Sequence, residues 1–141
     1  MVRKFVSNLN TIIDISVHKG GEDLIVGTKD GKVAWFQLEL SEKPFKIMEY
    51  HQDKIKNVSF HSQYPLFSSC SKNGKLLLYH ATISADMIKD PIIVPLKVLK
   101  PQNTDNTCKI FFYLVLTYSC FHPKHPWVFT SGEDNLIRMW S

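Results

Sequence analysis

The chain has 141 residues, of which 44% are hydrophobic, so it is long enough to build a core of its own. Lysine and arginine number 17 against 13 acidic residues, and the net charge of +4 is spread along the chain rather than gathered into one basic tract. The longest apolar run, Ile110 to Leu116, is far shorter than the roughly 20 residues that span a bilayer, and three cysteines in apolar surroundings favour reduced thiols in an intracellular protein.

One pattern occurs three times along the chain. Each copy opens with a histidine, has an aspartate or asparagine 12 residues later, and reaches an aromatic residue 6 residues after that. The residues at these positions are His18, Asp30 and Phe36, then His61, Asn73 and Tyr79, then His122, Asp134 and Trp140. Because both spacings hold without a gap, the chain is predicted to consist of three repeated structural units.

The first unit covers about residues 6–50. Apolar residues alternate from Ile13 to Val17, which predicts a strand with one face inward. Asp30-Gly31 is a dipeptide that supplies positive φ at a two-residue hairpin turn, so strands two and three of the unit should pair through it. A fourth strand is predicted over Phe45 to Glu49.

The second unit covers about residues 51–100 and repeats the turn as Asn73-Gly74. An insert is predicted at about residues 81–92, where Ser84 and Pro91 would begin and end a single helical turn. Its fourth strand is expected over Ile93 to Leu99.

The third unit covers about residues 101–141, and further inserted residues precede its first strand. Its turn, Asp134-Asn135, is a weaker version of the other two. Because the sequence ends at Ser141 in the third strand, this unit is expected to lack its outer strand.

Four antiparallel strands, a tight turn and an aromatic residue six positions past an aspartate are typical of a WD-type blade. The predicted fold class is therefore all-β: a partial WD40-type β-propeller with three blades of four-stranded antiparallel sheets.

WD blades are often stabilised by a hydrogen-bond relay that joins the turn aspartate, an opening histidine, a serine or threonine of strand two and a tryptophan of strand three. The second unit offers His51, with Ser69 and Ser71 in strand two, but its turn residue is Asn73. The third offers Ser131, Asp134 and Trp140 without an opening histidine. The relay is predicted to be incomplete in every blade, and the closing Trp140 is expected to be buried.

The repeated His18, His61 and His122 raise the hypothesis of a metal site. We reject it, because equivalent positions of successive blades point around a ring rather than toward one ion. No nucleophile triad, phosphate loop or carboxylate pair is present, so no catalytic, cofactor or metal residues are predicted. Lysines in the loops are able to contact RNA phosphates, which would give affinity without sequence readout.

Several strings resemble the C-terminal propeller of the block-of-proliferation family, also called the eukaryotic ribosome biogenesis family. They are Leu24-Ile-Val-Gly27, Trp35-Phe36-Gln-Leu38, Tyr64-Pro-Leu-Phe67, the segment Asp90 to Lys100, and Phe121 to Phe129. The likeness covers nearly the whole chain, and the segment leading into Val94-Pro95 is uncommon in other WD proteins.

This resemblance implies a non-catalytic nucleolar or nucleoplasmic scaffold in large-subunit assembly and ribosomal RNA processing. It implies a pescadillo-type protein and a second WD-repeat ribosome biogenesis protein as partners, within the pre-ribosomal particle and with ribosomal RNA as a further candidate contact. Neither a membrane nor a small-molecule substrate is expected. The alternatives are a WD-repeat adaptor in another complex, such as a ubiquitin ligase or a chromatin assembly, and, third, an enzyme.

Three blades are fewer than the 4 to 8 that typically close a propeller. The chain alone is therefore expected to be an open arc with apolar flanks, prone to self-association.

Overall fold

The computed structural model describes residues 4–5, 8–82, 92–99 and 115–141, with the backbone alone for Thr82 and residues 92–99. These residues form eleven strands and no helix. The strands are β1 (Ile12–Val17), β2 (Asp23–Thr28), β3 (Val33–Gln37), β4 (Lys46–Met48), β5 (Ile55–Phe60), β6 (Leu66–Ser71), β7 (Leu76–Thr82), β8 (Ile92–Leu99), β9 (Leu116–Phe121), β10 (Val128–Gly132) and β11 (Ile137–Trp140).

The strands form three separate antiparallel sheets, one for each predicted blade. The first has the order β1-β2-β3-β4, the second β5-β6-β7-β8, and the third has three strands in the order β9-β10-β11. The all-β, partial-propeller prediction is confirmed, and the third sheet contains three strands among the described residues. The helical turn predicted over Ser84 to Pro91, and the part of the apolar run at residues 110–114, lie outside the described residues.

The hairpin turns differ from the prediction. Gly31, Gly74 and Asn135 have φ of 84°, 76° and 61°, but the residues before them do not have positive φ. Gly31 N donates to Thr28 O, and Thr28 N donates to Lys32 O. The first two connections, which share this hydrogen-bond pattern, are thus type I turns followed by one left-handed glycine. None of the three is the two-residue turn expected, which would need positive φ at both central residues. Asparagine tolerates this conformation in the third blade at some cost.

Strand three of the second blade alternates its side chains between the cores on its two sides. Val33 and Trp35 of β3 pack in a core between the first and second blades, where Tyr79 of β7 meets them from the other side. Leu76 of β7 packs in a second core against Leu116 and Val128 of the third blade. The cores therefore lie between sheets, and they hold the three blades in one stack.

One glycine allows the first two blades to approach closely. A Cβ placed on Gly27 of β2 would lie 2.5 Å from Ile55 Cγ2 of β5 and 3.1 Å from Val58 Cγ1. Because those side chains are buried and well packed, any larger residue at this position would push β2 and β5 apart.

Candidate interaction surface

Each of the three repeated histidines directly follows the first strand of its blade. Its ring caps the turn that comes next. The Nδ1 atom of His61 accepts hydrogen bonds from Gln63 N at 2.9 Å and Tyr64 N at 3.1 Å. His122 Nδ1 accepts from the two equivalent amides at 3.1 Å, and His18 Nδ1 accepts from Gly20 N at 3.3 Å. A neutral ring that accepts through Nδ1 carries its proton on Nε2, so each histidine has a donor left for another partner.

In the second blade that remaining donor joins two blades. His61 is fully buried, and its Nε2 lies 2.9 Å from the carbonyl oxygen of His125 in the turn of the third blade. Ser62 Oγ donates to the carbonyl of Pro123 in the same turn at 2.7 Å. The ring of His61 also packs edge-on against Phe121, with 5.1 Å between centroids. These contacts join the turn after β5 in the second blade to the turn after β9 in the third blade.

Three of the four relay residues meet in the second blade. His51 Nε2 lies 2.6 Å from Ser69 Oγ, which lies 3.1 Å from the hydroxyl of Tyr79. Asn73 does not join them, because its side chain accepts hydrogen bonds from Ser71 Oγ and Lys75 N. His51 Nδ1 is consequently buried with no hydrogen-bond partner among the described residues.

This arrangement keeps the relay uncharged near neutral pH. Burial, reinforced by the nearby positive charge of Lys75, lowers the pKa of His51 to about 4. Burial raises the pKa of Tyr79 to about 12 against the opposing effect of its bond to Ser69. The pair therefore acts as a structural hydrogen bond and not as an acid–base couple at neutral pH.

The first blade has a different buried polar pair. Trp35 Nε1 donates to Asp23 Oδ1 at 2.8 Å, and both residues are nearly inaccessible to solvent. The turn residue Asp30 accepts from Thr28 Oγ1, while Phe36 packs with Val26 on the opposite face of the sheet. Sequence reasoning missed Asp23. The signal was a charged residue at a strand position where the other two copies have Leu66 and Trp127.

In the third blade the partner of Trp140 is Thr130 and not Ser131. Trp140 Nε1 donates to Thr130 Oγ1 at 2.9 Å, whereas Ser131 Oγ lies 2.9 Å from Thr117 Oγ1. Neighbouring residues of a strand point to opposite faces, and only Thr130 shares the face of Trp140. Asp134 pairs with Arg138, which lowers the pKa of its carboxyl. Trp140 is half-buried, so the expectation of a fully buried closing aromatic is corrected.

A repeated hydrogen bond connects the first strands of successive blades. Asp14 Oδ2 accepts from Val58 N at 2.9 Å and from Asn57 Nδ2 at 2.8 Å. Asn57 Oδ1 in turn accepts from Ser119 N at 3.1 Å and from Ser119 Oγ at 2.8 Å. The equivalent residue of the third blade is Tyr118, which is 56% exposed. We call this chain, from Asp14 through Asn57 to Ser119, the inter-blade clasp.

The outer face of the third blade is apolar and open to solvent. Ile137 is 81% exposed and Met139 is 56% exposed. Both alternate with Arg138 and Trp140, which turn toward the second blade, so they point away from it. The outer face of the first blade, in contrast, is packed against Phe5 and Leu9. Exposed apolar residues on a sheet face are typical of a surface that contacts another protein segment.

The described residues offer little for metal binding or for thiol chemistry. They contain no group of three or more His, Cys, Asp or Glu residues able to hold a metal ion. Burial raises the pKa of the Cys70 thiol to about 11, which disfavours the reactive thiolate. In the same part of the chain, no helix has the length and apolar character needed to cross a membrane.

Comparisons with known proteins find both a repeat match and similar proteins. The model for the WD domain, G-beta repeat matches residues 42–80 and 115–141. A ribosome biogenesis protein BOP1 homolog from Oryza sativa subsp. japonica is 37% identical over 145 residues, which cover 99% of this chain and 20% of that protein. The bop1 protein of Danio rerio is 38% identical over 141 residues, covering 100% of the chain and 17% of the relative.

A mammalian relative is similar to this chain to the same extent. The ribosome biogenesis protein BOP1 of Rattus norvegicus is 36% identical over 141 residues, covering 100% of this chain and 18% of that protein. The chain thus spans about a fifth or less of the length of these relatives. Over essentially its whole length, the chain is similar to a part of these ribosome biogenesis proteins named BOP1.

Proposed function

We propose that the chain is a non-catalytic scaffold segment that contributes WD blades to the assembly of the large ribosomal subunit. The observation that carries this proposal is the 36–38% identity, over essentially the whole chain, to proteins named for ribosome biogenesis. The geometry supports a binding role, because the buried polar groups of the blades serve hydrogen bonds within and between sheets.

The proposed partners are a pescadillo-type protein and a second WD-repeat ribosome biogenesis protein, within a pre-ribosomal particle in the nucleolus. The exposed face of the third blade supports protein contacts, since Ile137 and Met139 offer apolar area without a buried charge. Exposed lysines such as Lys29 and Lys72 lie beside the hairpin turns and are available to RNA phosphates.

The test is affinity purification of the epitope-tagged chain from nuclear extract, followed by sequencing of the RNA and mass spectrometry of the proteins. We expect large-subunit precursor RNA and a pescadillo-type protein to be enriched over small-subunit precursors. A matched Leu76→Asp variant, which places a charge in the core between the second and third blades, should lose this enrichment. Recovery of ligase or chromatin components without ribosomal precursors would overturn the proposal.

A further inference from the structure

The outer face of the third blade has the residues that close a junction between blades. Strand three of the first blade contributes Val33 to the core with the second blade, and strand three of the second blade contributes Leu76 to the core with the third. Ile137 holds the same position in the third blade but is 81% exposed. Met139, two residues on, is 56% exposed. The third blade therefore presents the forward half of a junction, the surface that a blade turns toward the next one.

The first blade presents the matching half. The first strand of a blade packs against the blade before it, through the buried Ile55 in the second blade and the buried Leu116 in the third. Ile12 holds this position in the first blade and is 51% exposed. Ile15 is 58% exposed, whereas its counterpart in the closed first junction, Val58, is 2% exposed. We call this surface of the first blade the rear half of the junction.

The third blade leaves room for the first strand of a neighbour. In the closed first junction, Gly27 of strand two lies so close to Ile55 that a Cβ would be 2.5 Å from its Cγ2 atom. The residues at this position of strand two in the other blades, Cys70 and Ser131, are also small. The close approach found inside the chain is therefore open to a further sheet on the third blade.

Phe5, which packs on the outer face of the first blade, is compatible with a neighbouring blade there. Its ring lies 5.9 Å from that of Phe36. In the closed first junction, Tyr50 lies 6.1 Å from Tyr79, which is the counterpart of Phe36 in the repeat. An aromatic ring in this place therefore coexists with a packed blade, and the exposed first strand remains available.

We propose that the partner of both open faces is a second copy of this chain, joined head to tail. The third blade of each copy packs on the first blade of the other, which repeats an interface that the chain already makes twice. Two copies bring six sheets together, within the 4 to 8 blades that typically close a propeller. One copy has too few sheets and three copies have too many. Because a head-to-tail interface forms a ring when its rotation closes, the product is a closed ring of two copies.

The junction between copies lacks one hydrogen bond of the inter-blade clasp. Asn57 accepts from Ser119 N of the next blade, but the counterpart of Asn57 in the third blade is Tyr118, whose side chain has no amide or carboxylate oxygen. Tyr118→Asn supplies this acceptor for the backbone N–H of Ile15 in the second copy. The variant should therefore associate about tenfold more tightly than the parent, as for one added hydrogen bond.

Sedimentation velocity of the purified chain over a range of micromolar concentrations tests the proposal. We expect a reversible equilibrium of monomer and dimer, with no larger species. Ile137→Lys places a charge on the forward half and Ile15→Lys on the rear half, so each variant should be monomeric over this range. Leu40→Lys is the matched control, at a residue that is 52% exposed in the turn after β3, and should associate like the parent.

An equal mixture of Ile15→Lys and Ile137→Lys distinguishes the head-to-tail arrangement from any other contact. The unchanged third blade of the first variant still fits the unchanged first blade of the second. The mixture should therefore form a dimer through one junction, although neither variant does so alone. Circular dichroism should give the parent spectrum throughout, because the substituted residues are exposed. Dimerisation of Ile15→Lys alone, a mixture that stays monomeric, a monomeric parent or parent assemblies larger than a dimer would each overturn the proposal.

Discussion

The same position in strand three has opposite surroundings in different blades. Val33 of the first blade and Leu76 of the second are 1% and 0% exposed, because each faces the next blade of the stack. Ile137, the equivalent residue of the third blade, is 81% exposed. All three are aliphatic, so the chemistry of this position is the same and only the presence of a neighbouring sheet differs.

This difference indicates where the stability of the fold lies. The strands and turns of a blade form in the third sheet as in the others, and the hydrophobic contribution arises when one sheet covers the next. The outer surface of the third blade consequently has apolar side chains like those of a core, but they are exposed to solvent. Each prediction below compares a residue in a closed junction with a residue on an open surface.

The largest effect is expected for truncation at the strand-three position itself. Leu76→Ala should lower the free energy of unfolding by about 2–5 kcal/mol, since it removes a fully buried side chain and leaves a cavity. Ile137→Ala should change it by less than about 0.5 kcal/mol. Urea denaturation followed by circular dichroism measures both. Similar losses in the two variants would show that the third blade is covered after all.

The second effect is a pH dependence that arises from His51. Above pH 6.5, its ordinary pKa, the ring is neutral in both the folded and unfolded states, and its titration contributes nothing. As the pH falls toward the folded pKa of about 4, the unfolded chain takes up a proton that the folded chain does not. The free energy of unfolding should therefore fall by on the order of 3 kcal/mol across this window.

The control for this pH dependence is His51→Gln, because the glutamine side chain at this position does not titrate. The difference in stability between parent and variant should shrink as the pH is lowered from neutral toward 4. Parallel profiles would contradict the burial of an uncharged His51.

The third effect concerns the inter-blade clasp. Asn57→Ala removes the acceptor of Ser119 and the donor to Asp14, and it should cost about 1–3 kcal/mol because buried polar groups are left unpaired. Asn10→Ala, at an exposed asparagine that bonds only its neighbour Thr11, is the matched control and should cost less. If the two variants unfold at the same urea concentration, the clasp does not couple the blades.

The smallest effect on stability is expected for removal of the Tyr79 hydroxyl, which belongs to the relay of the second blade. Tyr79→Phe keeps the ring stacked on Phe67 but removes the bond to Ser69, so a loss of about 0.5–1.5 kcal/mol is expected. Tyr50→Phe, at a tyrosine that is 45% exposed, provides the comparison. A gain in stability for Tyr79→Phe would mean that the hydroxyl is not satisfied in the folded chain.

The features predictable from sequence are those that local chemistry decides. The strand alternation and the left-handed residue after Asp30 and Asn73 follow from side-chain size and backbone freedom within a few residues. Even so, the turn type was predicted wrongly, because Asp-Gly and Asn-Gly suit both the two-residue turn and the type I turn with a following left-handed glycine.

The contacts that join blades could not be read from the repeat pattern. Asn57 meets Asp14 across 43 residues and Ser119 across 62, and a spacing pattern contains no information on which side chains meet at such distances. The same holds for the burial of Trp140. Its position in the repeat predicted a buried aromatic, but its exposure depends on what else covers the third sheet.

The most direct test of the central claim is light scattering on the purified chain and on a double variant, Ile137→Lys with Met139→Lys. The claim is that this is an open three-blade arc whose third blade presents an uncovered contact face. It predicts self-association of the parent at micromolar concentrations and a smaller, more uniform particle for the double variant, with both unfolding at the same urea concentration. A stable, monodisperse monomer of the parent would contradict it.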